Sequence, residues 1–502
     1  AERLLRSWMG VRRLSKEVND VTSHGQGRPV RRRVMVVNGN ETVMPYRVAP
    51  LGLAFVASAV RAAGYDVVFE EYAGDAGARA DLRGRVESWR PDYVAVGIRN
   101  LDNSDYHAFE SYLDGPAGLV REIRRWAPWV KVIAGGPAAT VDPERVMREV
   151  GPDHVILGEG EESLPEIIAR LEVGERLPAV VGSGGGPYRV ERTEQLPAPR
   201  LYEWVSDLRP YLRGDAGYPL QTKRGCPLKC TYCTYGRIEG AKYRFLDPEA
   251  VADEVEGAMG AGVRDFEFVD STFNLPPSHA MRVLAALQRR GLEANFIGTG
   301  LNPGKLPAEL LAAMRSTGFR NVLLTAESAS DAMLKSYQKS YGREALGVAV
   351  ERLRAEGITA LWVFLLGGPG ETPETVAETL GFIEEHVKSP DAVYITSGIR
   401  IYPGSPLSDQ MGAGQFVLED LRRKADPEVP DFFYSHRTPP GWLEETLRAF
   451  QRRHPHVMLS CEGHSRLTQW GLKAMALLPF PKPYWQYIPF LNRVRRMLPF
   501  AA

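Results

Sequence analysis

Short apolar runs alternate with amphipathic stretches along most of the chain. Arg33–Asn38 (RVMVVN) is an apolar run of strand length. The following stretch, Ala49–Gly64, places Leu51, Phe55, Ala59 and Ala63 four positions apart, which is helical spacing. Gly64 stands where a helix stop is expected. Asp66–Glu71 predicts the next strand, and further apolar strands are expected at Tyr93–Ile98, Val130–Ala134 and His154–Leu157. Strands alternating with helices predict a doubly wound, Rossmann-like parallel sheet over residues 31–175. Residues 176–216 are rich in Gly, Pro and charge and read as a connector. A second series follows, with strands expected at Pro219–Arg224, Asp265–Asp270, Ala294–Gly300, Asn321–Ala326, Ile358–Leu366 and Ala392–Ile401. Six strands alternating with helices predict a partial α/β barrel over residues 217–408, with its chemistry on the loops after the strands. Residues 409–502 read as a smaller, mainly helical region, in which Leu443, Leu447 and Phe450 share a helix face. Residues 1–30 are polar and basic and read as an N-terminal arm.

Charge narrows the class. Lys plus Arg number 62 and Asp plus Glu number 62, so no net basic field draws in nucleic acid. Apolar residues are 44% and charged residues 25%, the balance of a soluble globular protein. No apolar run is long enough for a transmembrane segment, and the first residues lack the apolar core of a secretory signal. A cytoplasmic location is therefore expected. Of four cysteines, three fall within eight positions: Cys226, Cys230 and Cys233. A disulfide scaffold would spread its cysteines, so this clustering points to a metal or redox site in a reducing compartment.

The cysteine segment, QTKRGCPLKCTYCTYG at 221–236, has C-x3-C-x2-C spacing directly after the first strand of the expected barrel. Three thiolates this close in sequence can converge on one inorganic centre. Iron–sulfur cubanes normally take four cysteines, and the remaining one, Cys461, lies far away in sequence. A cubane on three cysteines leaves one iron open to donor atoms of a substrate. Structural zinc would want a fourth Cys or His at short range, and none lies between Cys233 and His279. A thioredoxin-like pair, Cys230 and Cys233, would leave Cys226 without a role.

C-x3-C-x-aromatic-C, with Tyr232 as the aromatic, resembles the radical S-adenosylmethionine (SAM) enzymes. The resemblance implies a 4Fe-4S cluster on Cys226, Cys230 and Cys233, with SAM chelated to the open iron and cleaved reductively to a 5′-deoxyadenosyl radical. It also implies an electron donor such as flavodoxin or ferredoxin. Later stretches resemble the family as well: FVDSTFN at 268–274, TAESASDAML at 325–334, FLLGGPGET at 364–372 and GIRIYPGSPL at 398–407. Asp270, Ser271, Glu327, Ser328 and Arg400 are accordingly expected, with Tyr232, around SAM.

In a doubly wound sheet ligands sit beyond the carboxyl ends of the strands. The G-x-G-x-x-G fingerprint of dinucleotide binding is missing there, and GLNPGKL at 300–306 fails as a phosphate loop because residue 299 is Thr and residue 306 is Leu. The order of features resembles the cobalamin-binding domain that precedes the barrel in one radical SAM subgroup. The residues that carry the resemblance are Pro50-Leu51-Gly52, Arg99-Asn100, Gly135-Gly136-Pro137 with Ala138-Ala139-Thr140, and Gly158-Glu159-Gly160 with Glu161. It implies that these loops bind cobalamin. The first of them, NGNETVMPYRVAP, has no histidine, so no D-x-H-x-x-G ligand motif is present and cobalamin without a histidine on cobalt is expected. His107 reads as a solvated loop histidine.

His454, His456, Cys461 and His464 crowd the C-terminal region at irregular spacing and read as structural. The tail around Trp485, Tyr484 and Tyr487 mixes aromatic and basic residues, and is expected to dock across the barrel mouth or to lie on a membrane surface. The resemblance implies a cobalamin-dependent radical SAM (class B-like) methyltransferase that moves a methyl from methylcobalamin to an unactivated carbon or a phosphinate of a small-molecule or peptide precursor. Two alternatives stand beside it: a cobalamin-dependent radical SAM cyclase or rearrangement enzyme, and a non-enzymatic cobalamin carrier or sensor, which would need no open-iron cluster.

Overall fold

The structure, a computed structural model, describes residues 32–40, 47–72, 76–182, 198–213, 216–422, 429–460 and 482–490. Its first sheet holds β1 (Arg33–Asn38), β2 (Asp66–Glu71), β3 (Tyr93–Gly97), β4 (Lys131–Gly135), β5 (His154–Leu157) and β6 (Val180–Gly182). The strands are parallel in the order β2-β1-β3-β4-β5-β6. Val34, Met35, Val36 and Val37 of β1 are wholly buried because helices cover both faces. The helix after β1 spans Leu51–Ala62, and Gly64 ends it in the left-handed region at φ 98°. The strand order reverses between β1 and β3, which puts a ligand crevice at their carboxyl ends.

The second sheet holds β7 (Tyr218–Leu220), β10 (Asp265–Phe268), β11 (Asn295–Leu301), β12 (Phe319–Glu327), β13 (Thr359–Leu366), β14 (Ala392–Ser397) and β18 (Val457–Leu459), all parallel. Between them lie the ribbon β8 (Lys223–Arg224) with β9 (Arg244–Phe245), and a small sheet of β15 (Ile399–Arg400), β16 (Leu421–Arg422) and β17 (Phe432–Phe433). Along β13, Ala360, Trp362, Phe364 and Leu366 are buried, whereas Leu361, Val363 and Leu365 are half-buried. The buried set packs into the main core under the helices. On the other face, Leu365 packs against a separate cluster of Met333, Tyr337 and Phe433.

Three details differ from the expected strands. Pro219–Arg224 breaks into β7 and β8 because Asp270 captures the Thr222 and Lys223 amides. Ala392–Ile401 breaks at Gly398, at φ 75°, where a Cβ would lie 2.2 Å from the Tyr434 ring. The C-terminal region adds β16, β17 and β18 to its helix Pro440–Arg453, and β18 extends the barrel sheet at the β14 edge.

The first sheet packs in two cores of its own, and its first helix also joins the core of the barrel. Leu51, Ala54 and Phe55, from the first helix, belong to the same buried cluster as Tyr218, Leu220 and Phe268 of the barrel. No helix among the described residues is long and apolar enough to cross a membrane.

Candidate cofactor site between the two sheets

The cysteine loop is anchored at both ends. Where the chain leaves β7, Asp270 Oδ1 accepts from the Thr222 amide at 2.7 Å and the Lys223 amide at 3.2 Å. Its Oδ2 accepts from Thr222 Oγ1 at 2.6 Å and Lys223 Nζ at 2.9 Å. Both side chains of the Lys223–Asp270 pair are wholly buried. His279 Nε2 donates to Thr222 O at 3.0 Å. Burial, reinforced by the Lys223 cation, lowers the His279 pKa to about 4, so this imidazole is neutral. Gly225 then turns the chain at φ 88°, and a Cβ there would lie 2.0 Å from Lys242 O. At the far end Thr231 donates from its amide to Tyr337 O and from Oγ1 to Ser336 O, while Leu407 donates to Thr231 O.

Cys226, Cys230 and Cys233 are free thiols on this loop, the first two buried and the third half-buried. Burial pushes the Cys226 thiol up and Cys233 to about 11, so ligation would have to displace protons. Among the described residues no group of three or more His, Cys, Asp or Glu side chains is arranged to hold a single metal ion. A cubane takes each thiolate on a different iron. A donor set of three thiolates fits such a cluster.

Tyr232, between the second and third cysteines, reaches the end of β12. Its hydroxyl donates to Glu327 Oε1 at 2.5 Å. Lys339 Nζ donates to Tyr232 Oη at 2.7 Å and to Glu327 Oε1 at 3.2 Å. Burial works against the Lys339 ammonium, but Glu327, Tyr341 and Cys230 together outweigh it and hold the Lys339 pKa above its ordinary value. Glu327 sits at φ 62°, just past a register shift between β12 and β13. A non-glycine residue held in that region at a strand end marks a site where function opposes backbone comfort. Lys339 was not foreseen from the sequence. Its only signal is the buried acid twelve residues earlier, and no local periodicity links the two.

The structure separates the other expected SAM residues. Ser271 Oγ donates to Gly225 O at 3.2 Å and so stays beside the cysteine loop. Asp270 receives four hydrogen bonds from the chain, so its place is inside the anchor. Ser328 is fully buried, pairing with Thr379 Oγ1 at 2.9 Å and accepting from the Ser330 amide. Arg400 turns toward the first sheet: its Nε donates to the buried Asp102 Oδ2 at 3.3 Å, its guanidinium lies 4.6 Å from the Tyr402 ring centroid, and Arg145 Nη1 stands 3.7 Å from the same Asp102 oxygen.

The expected cobalamin loops gather at the carboxyl ends of β1, β3, β4 and β5. Gly52, Arg99, Asn100 and Pro137 are exposed there, and a Cβ on Gly52 would meet nothing within 4 Å. These surfaces leave room for a large ligand. Gly136, at φ 106°, lets its loop press on the loop after β3, and a Cβ would lie 2.6 Å from Ile98 O. Gly135 lies half-buried at the end of β4. The Gly158 amide donates to Thr140 Oγ1 at 2.9 Å. Leu51 is buried in the shared core. Glu159 is ion-paired with Arg244, and Gly160 opens the helix Gly160–Glu172. The two loop systems meet where Arg237 Nε, just after the cysteines, donates to Thr140 O at 3.2 Å.

Two peripheral expectations end differently. His107 is half-buried 3.7 Å from Glu444 and edge-on to Tyr106, because its loop reaches over to the C-terminal helix. The tail docks at the end of the barrel opposite its mouth: Lys482 Nζ donates to Leu212 O and Ala216 O, both at 2.8 Å, beside the start of β7. Cys461 and His464 lie outside the described residues, as do 41–46 of the loop after β1.

Two family models match the chain: the radical SAM superfamily over residues 220–383 and the B12 binding domain over 40–168. An uncharacterized methyltransferase of Pyrococcus horikoshii is 28% identical over 78% of this chain and 84% of its own length. Hopanoid C-3 methylase of Methylococcus capsulatus is 26% identical over 81% and 77%. Anaerobic magnesium-protoporphyrin IX monomethyl ester cyclase of Rubrivivax gelatinosus is 23% identical over 66% and 61%. Among solved structures, the radical SAM methyltransferase TsrM of Kitasatospora setae, with cobalamin and a [4Fe-4S] cluster bound, superposes with a TM-score of 0.77 at 21% identity, covering 94% of this chain and 100% of that one. The chain belongs to the cobalamin-dependent radical SAM enzymes, whose cofactors are a 4Fe-4S cluster, SAM and cobalamin.

Proposed function

We propose that this enzyme is a cobalamin-dependent methyltransferase acting on an unactivated carbon, or a phosphinate, of a small-molecule or peptide precursor. The observation that carries the reading is the junction at Arg237 and Thr140, which brings the cysteine loop against the loops of the first sheet. Together the cofactors supply reductive cleavage of a sulfonium and a transferable methyl group. Cys226, Cys230 and Cys233 hold the cluster. Tyr232, Glu327 and Lys339 line the adjacent SAM site, where the Lys339 ammonium suits a carboxylate and Glu327 suits an ammonium or ribose hydroxyls. Ser271 steadies the cysteine loop, and Arg400 clamps the two sheets together. Gly52, Arg99, Asn100, Gly135, Gly136, Pro137 and Gly158 form the cobalamin rim, with no histidine on cobalt. A cobalamin seated on these exposed loops would cover them and shield the adjacent SAM site from water. A flavodoxin- or ferredoxin-like donor in the cytoplasm provides the electron.

Anaerobically prepared protein is expected to contain iron, sulfide and cobalt, and methyl-labelled SAM is expected to leave its label in the product. A cyclase is among the relatives, so the second reading is rearrangement; product without label would establish it. Cys230→Ala is expected to abolish both cluster and turnover, and activity that survived would remove the cluster-dependent reading. A nitrogen coupling from a histidine in the EPR spectrum of the bound cobalamin would contradict the histidine-free site.

A further inference from the structure

The Gly158–Glu161 loop meets the barrel through buried ions. Arg224 is the residue before Gly225, at the entrance of the cysteine loop. Its Nη2 donates to Glu161 Oε1 at 2.5 Å and its Nε to Gln221 Oε1 at 3.0 Å, and its guanidinium stands 4.6 Å from the Phe55 ring centroid. Its Nη1 is 3.8 Å from Glu159 Oε2. Arg244, paired with Arg224 in the β8–β9 ribbon, grips both oxygens of Glu159 and donates to Glu239 O at 2.7 Å. Glu239 closes the ring by accepting from the Gly225 amide at 3.0 Å. Arg224 and Glu161 side chains are 7% and 5% exposed. Two arginines thus face two glutamates with little water between them.

Such a set is costly to open one member at a time, because each removal strands a buried charge. Both glutamates also stand at the amino end of the helix Gly160–Glu172, whose dipole favours negative charge there. The loop with its helix end, and the ribbon with the first cysteine, therefore move as one body. A ligand that orders either side orders the other, and the free energy is shared reciprocally.

We propose that Glu159 and Glu161, with Arg224 and Arg244, are positioning residues that couple cobalamin binding to cluster binding, and that Glu159 serves this bridge in place of touching cobalamin. The proposal rests on the cofactor placement given above. The test measures cobalamin affinity by equilibrium dialysis, anaerobically, on cluster-free and cluster-loaded protein. In the unaltered enzyme the cluster is expected to tighten cobalamin about tenfold. Glu161→Gln, which keeps the shape and an acceptor but removes the charge, is expected to bring that ratio near one while the thermal unfolding midpoint of the cluster-free protein stays measurable. Arg224→Lys, which keeps the charge, is expected to retain part of the ratio. A ratio of one in the unaltered enzyme, or a full ratio in Glu161→Gln, overturns the proposal. Should Glu161→Gln not fold, the Arg224→Lys ratio decides: a full tenfold ratio overturns the coupling and a reduced one supports it. Failure of either cofactor to bind the unaltered protein would instead strike the underlying placement.

Discussion

At Gly225 backbone conformation and chemistry meet one residue before the first cysteine. Its left-handed φ and the nearby Lys242 carbonyl leave no room for a side chain. Gly225→Ala is expected to cost about 1–3 kcal/mol and to lower iron per chain after reconstitution; denaturant unfolding and iron analysis check it. The wholly buried Lys223–Asp270 pair makes a second prediction. Asp270→Asn strands the lysine and is expected to cost about 3–5 kcal/mol, read from the same unfolding curve. His279 gives a pH dependence. Its folded pKa of about 4 lies below the ordinary 6.5, so the unfolded chain takes up a proton that the native state refuses. The His279 contribution to stability is therefore expected to fall as pH drops from 6.5 toward 4 and to be flat above that window. His279→Gln should remove this contribution, read as the difference between the pH series of unfolding midpoints of the two proteins. At this scale the cysteines and Tyr232 were legible because their spacing is local. Asp270 was legible as important but not as an anchor, since its partners are set by how β7 and β10 pair.

Among the elements, periodicity served best where strands are long and covered. β1 and β13 follow the expected runs almost residue for residue, and β12 starts two residues earlier and ends one later than expected. β18 escaped notice because three residues, Val457–Leu459, carry too little pattern to stand out from the helix before them. Continuous runs also hid the breaks at Thr222 and Gly398, which come from contacts with distant side chains. The Gly135–Gly136 turn offers a test at this scale. Gly136→Ala forces a Cβ against the Ile98 carbonyl, and is expected to shift the loops after β3 and β4 apart. Cobalamin binding should weaken at least several-fold while cluster content after reconstitution changes little; dialysis and iron analysis separate the two.

For the whole molecule, the joint between the sheets matters most. Asp102, Arg145 and Arg400 bring buried charges from both sides together, and Ser104 and Tyr402 add a 2.5 Å hydroxyl contact. Asp102→Asn leaves the buried Arg400 without its acid, while Arg145 keeps Glu149 at 2.9 Å, at an expected cost of about 3–5 kcal/mol. Calorimetry should then show one cooperative transition splitting into two. Nothing in the sequence pairs Asp102 with Arg400, 298 positions later, and this is why Arg400 was expected at SAM instead.

The apolar seam formed by Leu51, Ala54 and Phe55 also limits how this architecture tolerates recombination. A graft bringing the N-terminal half of a relative onto this barrel would have to match Tyr218 and Leu220 in shape as well as supply the vitamin pocket. Half-genes severed at the connector would lay bare a greasy face and aggregate. Descent with both halves kept in register, by small reciprocal changes across that seam, is the route the architecture leaves open.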